Sequence, residues 1–171
     1  MSSLVVFSTS TGNTRKIADA IFSALKDTDK KIVDVNEINK VNVNKFDKII
    51  IGGWIDKGEI DEKAKEFLTK LKNRKLGLFV TMGGNPETDR AKNCFQEIKK
   101  SLEKNGNIVE KTFVCQGAID PNLINKFREM TKQGIAGPFA ATPEREARWA
   151  EAAKHPDEKD IENAKRIFEG L

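Results

Sequence analysis

The sequence predicts a single α/β domain with a doubly wound parallel sheet of five strands and a helical extension at its C-terminal end. Three observations predict it. The chain has 171 residues, the size of one domain rather than two. Short apolar runs alternate along it with segments of helical periodicity. The runs are apolar on consecutive residues, as strands buried on both faces of a parallel sheet require. With 38% hydrophobic and 33% charged residues, there is material for a core and for a soluble surface, which excludes a disordered chain.

The elements follow in order. Leu4, Val5, Val6 and Phe7 are too short a run for a helix and read as the first strand. Behind the hydroxyl-rich stretch Ser8 to Thr14, a source of N-cap residues, Ile17, Ala18, Ile21, Phe22 and Leu25 recur at helical spacing. Ile32 to Val35 is the second strand. The segment Glu37 to Phe46 is polar and rich in Asn and Lys, and reads as a loop or one short turn. Ile49, Ile50 and Ile51 form the third strand, which ends in Gly52-Gly53. One helical face carries Ile60, Ala64, Phe67, Leu68 and Leu71. Leu76 to Val80 is the fourth strand, Phe95, Ile98 and Leu102 mark the next helix, and Ile108 to Cys115 is the fifth strand. A helix from Pro121 carries Leu123, Ile124, Phe127 and Met130.

Beyond residue 133 the composition shifts, with Gly134, Gly137, Pro138 and Pro143 breaking regular structure. Residues 1–133 are therefore expected to form the ligand-binding domain, and 134–171 a helical tail packed on it. The tail has helix starts at Thr142-Pro143-Glu144 and Pro156-Asp157-Glu158. Ile161, Ala164, Phe168 and Leu171 share a face of its last helix, and Trp149 reads as a packing residue.

Several functions lack the residues they need. No apolar run approaches the roughly 18 residues of a membrane span, and no leader pattern follows Met1, so a cytoplasmic protein without a membrane role is expected. Cys94 and Cys115 cannot build a disulfide framework. His155 is the single histidine, so neither a catalytic side-chain constellation nor a metal-ligand set is expected, and the chemistry falls to a cofactor. The net charge of +4 divides into +6 over residues 1–143 and −2 over 144–171. Its lysines lie mainly on helical segments, the pattern of a solvated surface rather than of a nucleic-acid site.

Most informative is Ser8-Thr9-Ser10-Thr11-Gly12-Asn13-Thr14, between the first strand and the first helix. Free N–H groups at a helix start, with hydroxyls around them, form a site for a terminal phosphate. The stretch lacks the lysine and spacing of GxxxxGK[ST] and is not GxGxxG, which disfavours both a nucleoside triphosphate and a dinucleotide.

At Thr9, Ser10, Thr11, Gly12, Asn13 and Thr14 the sequence resembles the FMN phosphate loop of the flavodoxins. That resemblance implies a flavodoxin-like sheet of order 2-1-3-4-5 and bound FMN. Its ring would lie between Gly53-Trp54-Ile55-Asp56-Lys57-Gly58 and Met82-Gly83-Gly84-Asn85, all at strand C-terminal ends, where open α/β sheets bind ligands. Trp54 is expected to stack on the ring, Gly83 and Gly84 to let backbone N–H groups approach it, and the Lys57-Gly58 peptide to turn over beside flavin N5 on reduction.

The implied function is a carrier delivering single electrons to a partner reductase. A flavodoxin-fold NAD(P)H-dependent reductase of a small acceptor, its flavin covered by residues 134–156, is the alternative, and a non-redox binding module the third reading. The chain departs from the family in having no tyrosine and a pI near 9.0. The basic balance implies a redox partner with an acidic docking face, met by a monomer or weak dimer. Gly52-Gly53-Trp54 and His155-Pro156-Asp157 resemble a subgroup of flavodoxin-domain proteins from anaerobes, those called BilS.

Overall fold

A computed structural model describes residues 1–135 and 137–171. The chain runs β1 (Ser2–Phe7), α1 (Asn13–Ala24), β2 (Asp29–Asp34), β3 (Lys48–Asp56), β4 (Glu59–Ile60), α2 (Glu62–Lys70), β5 (Lys75–Met82), α3 (Asp89–Glu103), β6 (Ile108–Gln116), α4 (Pro121–Lys132), α5 (Pro143–Ala152) and α6 (Glu158–Phe168). Five strands pair in parallel in the order β2-β1-β3-β5-β6, the expected doubly wound topology. The two-residue β4 is an addition: it folds back antiparallel on the end of β3, pairing Ile55 with Ile60 and Asp56 with Glu59.

Consecutive apolar residues serve opposite faces of the sheet, which is why the strand runs do not alternate with polar residues. Leu4, Val6, Ile49, Ile51, Leu76, Leu78 and Val80 face α2 and α3, which supply Ala64, Phe67, Leu68, Phe95, Ile98 and Leu102. Val5, Phe7, Ile50, Phe79, Phe113 and Cys115 face α1 and α6.

Two elements differ from the sequence reading. Ile60, expected on a helical face, is a strand residue, because the Lys57-Gly58 turn reverses the chain before α2 begins. The polar segment after β2 forms two 3-10 turns, Val35–Lys40 and Val43–Lys45, capped by the side chains of Asp34 and Asn42. The last helix completes the core, since Ala164 and Phe168 are fully buried. Phe168 meets Phe79 edge-on at 6.4 Å and fills the space above Gly77, where a Cβ would lie 2.6 Å from its ring. Lys48 Nζ donates to the Leu171 carbonyl just beyond.

α4 and α5 stand between β6 and α6 as a helical pair held by aromatic stacking. Phe127 lies 5.1 Å from Phe139 and 6.0 Å from Trp149, and Arg128 makes a bidentate pair with Glu146 at 2.7 and 2.6 Å. Their exit is pinned at His155. Its Nδ1 lies 2.6 Å from Asp160 Oδ2, and its carbonyl accepts the Ala118 N–H. Among the described residues no helix is long and apolar enough to cross a membrane.

Two expectations follow. A Cβ at Gly52 would lie 1.9 Å from the Phe79 ring, so Gly52→Ala should cost at least about 1–3 kcal/mol in urea unfolding, the usual range for overpacking. The Asp160 carboxylate, helped by Asp157 and Glu151, holds the His155 imidazolium above its ordinary pKa. That pairing contributes stability fully below the unfolded imidazole's pKa, near 6.5, and loses it as pH rises through the raised folded value. The stability difference between wild type and His155→Gln should therefore shrink on going from about pH 6 to pH 9; thermal melts of both at each pH would measure it.

Candidate functional site

The loop after β1 divides its hydroxyls between two directions. Ser8 is 3% exposed and turns inward, its Oγ donating to Asp61 Oδ1 at 2.6 Å. Thr14 also turns inward, 1% exposed, with its Oγ1 2.9 Å from Thr81 Oγ1. Thr14, expected to contact a phosphate, braces α1 against β5 through this hydroxyl. Ser10 and Thr11 are exposed, and Thr9 is half-buried with its Oγ1 accepting the Gly12 N–H at 3.0 Å. Asn13 reaches across the site, its Nδ2 donating to Thr11 Oγ1 at 3.2 Å and to the Ala118 carbonyl at 2.8 Å.

The start of α1 is built for an external partner. Among the described residues, five of the six α-helices have an Asp or Thr N-cap whose side chain accepts a helix N–H: Asp61, Thr88, Asp120, Thr142 and Asp157. α1 alone begins at a glycine with no side-chain cap, Gly12, at φ 98°. Its first-turn N–H groups, at Asn13, Thr14 and Arg15, have no acceptor within the helix, since the first intrahelical bond is Lys16 N–H to the Gly12 carbonyl. An anion is the complementary ligand, favoured also by the helix dipole.

The ends of β3 and β4 form the second wall. Gly53, expected to touch a cofactor, is buried, and a Cβ there would lie 2.7 Å from Ile60 and 2.8 Å from Asp61 Oδ2. Trp54 and Ile55 are half-buried, while Asp56, Lys57 and Gly58 are exposed. Lys57 (φ 50°) and Gly58 (φ 87°) form the two-residue tip, with the two positive φ values that tight hairpins favour. The third wall is Met82, Gly83, Gly84 and Asn85. Met82 is buried, Gly83 lies against Ile119, and Gly84 and Asn85 are exposed. Gln116 Nε2 donates to the Gly83 carbonyl at 3.0 Å and Gly117 N–H to the Met82 carbonyl at 2.9 Å. The three expected segments do converge at the strand C-terminal ends.

Sequence reasoning missed Asp61, Thr81, Gly117 and Ala118. Asp61 carried one readable signal, an acid just before a helix, but its second role needs the fold. Its Oδ1 accepts both Ser8 Oγ and the Ala64 N–H (3.1 Å), while Oδ2 accepts the Trp54 N–H (3.1 Å). Gly117 leaves room for Asn13, whose Nδ2 would lie 2.8 Å from a Cβ there.

Charge around the site is mixed, with Asp56, Glu59, Glu87 and Asp89 beside Lys57 and Arg90. The lysine-rich loops lie at the strand starts, at the far end of the sheet: Lys45, Lys48, Lys72, Arg74, Lys75 and Lys104. The cations read from composition therefore do not ring the site.

Asp61→Asn replaces one acceptor oxygen with an amide that opposes a buried N–H donor. It should lower unfolding stability by about 1–3 kcal/mol, measured in urea; unchanged stability would remove Asp61 from this role.

Against known proteins, the flavodoxin domain model matches residues 4–169. The chain is 33% identical over 173 aligned positions to the flavodoxin-like domain-containing protein BilS of Clostridioides difficile (strain CD3), covering 100% of this chain and 96% of that one. A flavodoxin from the domain Archaea superposes with a TM-score of 0.62 at 14% identity, over 99% of this chain and 95% of that chain. A flavoprotein from Lactobacillus acidophilus, solved with FMN, superposes at 0.50 and 18% identity, over 73% and 97%. With its sheet order, its loop of hydroxyls at an uncapped helix and these relatives, the chain belongs to the flavodoxin-domain family, whose members imply a flavin cofactor.

Proposed function

We propose that this protein holds FMN and carries single electrons to a partner reductase in the cytoplasm. The observation that carries the reading is the start of α1, among the described residues the one α-helix with no side-chain cap, beside the exposed hydroxyls of Ser10 and Thr11. A phosphate monoester supplies what that helix end lacks. Gly12, Asn13 and the first-turn N–H groups would hold it, with Thr9, Ser10 and Thr11 as hydroxyl donors. Bound FMN supplies one-electron chemistry. The loop after β1 would hold its phosphate and the segments at Trp54 and Gly83-Gly84 would hold its ring, beside the exposed residues Asp56, Lys57, Gly58, Gly84 and Asn85.

That open edge favours the carrier over the NAD(P)H-dependent reductase. Residues 134–156 were expected as a cover in the latter, whereas α5 packs on α4 through Trp149 and Phe127. Two free thiols suit a reducing compartment. The partner would dock on the open edge. Because that rim mixes both signs, the acidic docking face has little to meet there, and association should change little between low and moderate salt. A steep fall in transfer rate with salt would reinstate a charged docking face.

Two measurements test the reading. The double variant Ser10→Ala, Thr11→Val removes two donors to a dianion, at about 1.5–3 kcal/mol for each charged hydrogen bond. FMN affinity should fall by at least about tenfold while riboflavin affinity changes by less than about twofold, as read by flavin fluorescence; equal losses would remove the phosphate assignment. Anaerobically, the flavin of a carrier should accept electrons from dithionite and not directly from NADH or NADPH. Bleaching by either nucleotide would turn the conclusion toward the reductase.

A further inference from the structure

The hairpin tip is an exposed part of the site. Asp56, Lys57, Gly58 and Glu59 are all exposed, and β4 gives only two pairs, Ile55 with Ile60 and Asp56 with Glu59. Lys57 sits in the left-handed region at φ 50°, which costs a side-chain-bearing residue about 1–2 kcal/mol. Lys65 meets Glu59 at 2.6 Å, an exposed pair that contributes little. A second contact ties the tip to α3: Cys94 Sγ donates to the Gly58 carbonyl at 2.9 Å.

We propose that Cys94 is a positioning residue of the site: its thiol, donated to the Gly58 carbonyl, holds the Lys57-Gly58 turn against α3 and so sets how the turn meets the ring of a bound flavin. This rests on the FMN reading above. Cys94 is suited to the task. It is half-buried, packed beside the core face that carries Phe95 and Ile98. Burial pushes its thiol pKa up against the lowering effect of Arg90 one turn earlier, so at neutral pH it keeps the proton that it donates. A thiolate or an S-alkylated sulfur has no proton to give, so the carbonyl would lose its only partner outside the hairpin among the described residues. Cys115, the other cysteine, is 2% exposed, its thiol raised further by burial and by the nearby Asp160 and Asp157, and it takes no part.

The test compares Cys94→Ser, which keeps an O–H donor, with Cys94→Ala, which removes it. In the flavin-free protein, hydrogen exchange at the Gly58 and Glu59 amides should quicken about fivefold in Cys94→Ala, the equivalent of one lost hydrogen bond, and stay near wild type in Cys94→Ser. With flavin, Cys94→Ala should weaken FMN and riboflavin by the same factor, about three- to tenfold. A phosphate-loop variant weakens FMN alone. The midpoint potential of the bound flavin should shift in Cys94→Ala and return in Cys94→Ser. Unchanged exchange and affinities in Cys94→Ala, or equal shifts in both variants, would overturn the proposal and leave Cys94 a packing residue. Should wild type bind no FMN, the functional reading fails and with it the flavin part of this inference, while exchange in the flavin-free protein still decides whether Cys94 holds the turn.

Discussion

A carboxylate taken out of water must find donors, and Asp61, 5% exposed, finds three on three separate elements. Ser8 comes from the loop after β1, Trp54 from the end of β3 and Ala64 from the first turn of α2. Each donor alone offsets only part of the desolvation, and together they make the positions of the three elements interdependent. Gly53 belongs to the same constraint, since the space that a Cβ would take there is filled by Asp61 and Ile60. The loop after β1 and the β3–β4 hairpin are thus fixed relative to each other from behind, by one buried carboxylate. Ser8 N–H, donated to the Gly52 carbonyl at 2.9 Å, extends the β1–β3 ladder into the same corner.

A second corner works by the same logic on the other side of α1. Asn13 donates to the Ala118 carbonyl, and the Ala118 N–H donates to the His155 carbonyl. The α4–α5 pair enters just after this point and leaves at it, so a helical insertion can hang from the sheet edge without disturbing the loops. Consistent with that, α4 buries none of its residues fully, although its apolar positions recur at helical spacing. Phe127 finds its partners within the insertion, on Phe139 and Trp149.

The strands were legible because burial on both faces writes itself as consecutive apolar residues; the phosphate loop was legible in its hydroxyls, and the two ring segments came from the resemblance to the flavodoxins, in agreement with where those strands end. The side-chain directions inside the segments were not. Ser8 and Thr14 look like their neighbours Thr9, Ser10 and Thr11 in composition, and only the positions of Asp61 and Thr81, more than 50 residues away in sequence, decide which hydroxyls turn inward. Ile60 fits a helical spacing with Ala64 and Phe67; what places it in a strand is the two-residue turn before it, which a period count does not register. Gly53 reads as a close approach to a ligand because glycine permits either use, and here the close approach is to Asp61.

The Phe79–Phe168 contact joins the middle of the sheet to its final helix. Phe168 fills the gap above Gly77 while Phe79 fills the one above Gly52, so the part of this face that α1 leaves uncovered stays open until α6 arrives. During synthesis the ribosome hides the most recent few tens of residues, and all the strands will have emerged while α6 is still inside the exit tunnel. One face can close on α2 and α3 as the chain lengthens; the other, with α1 already in place, is completed over Phe79 only once α6 has left the tunnel.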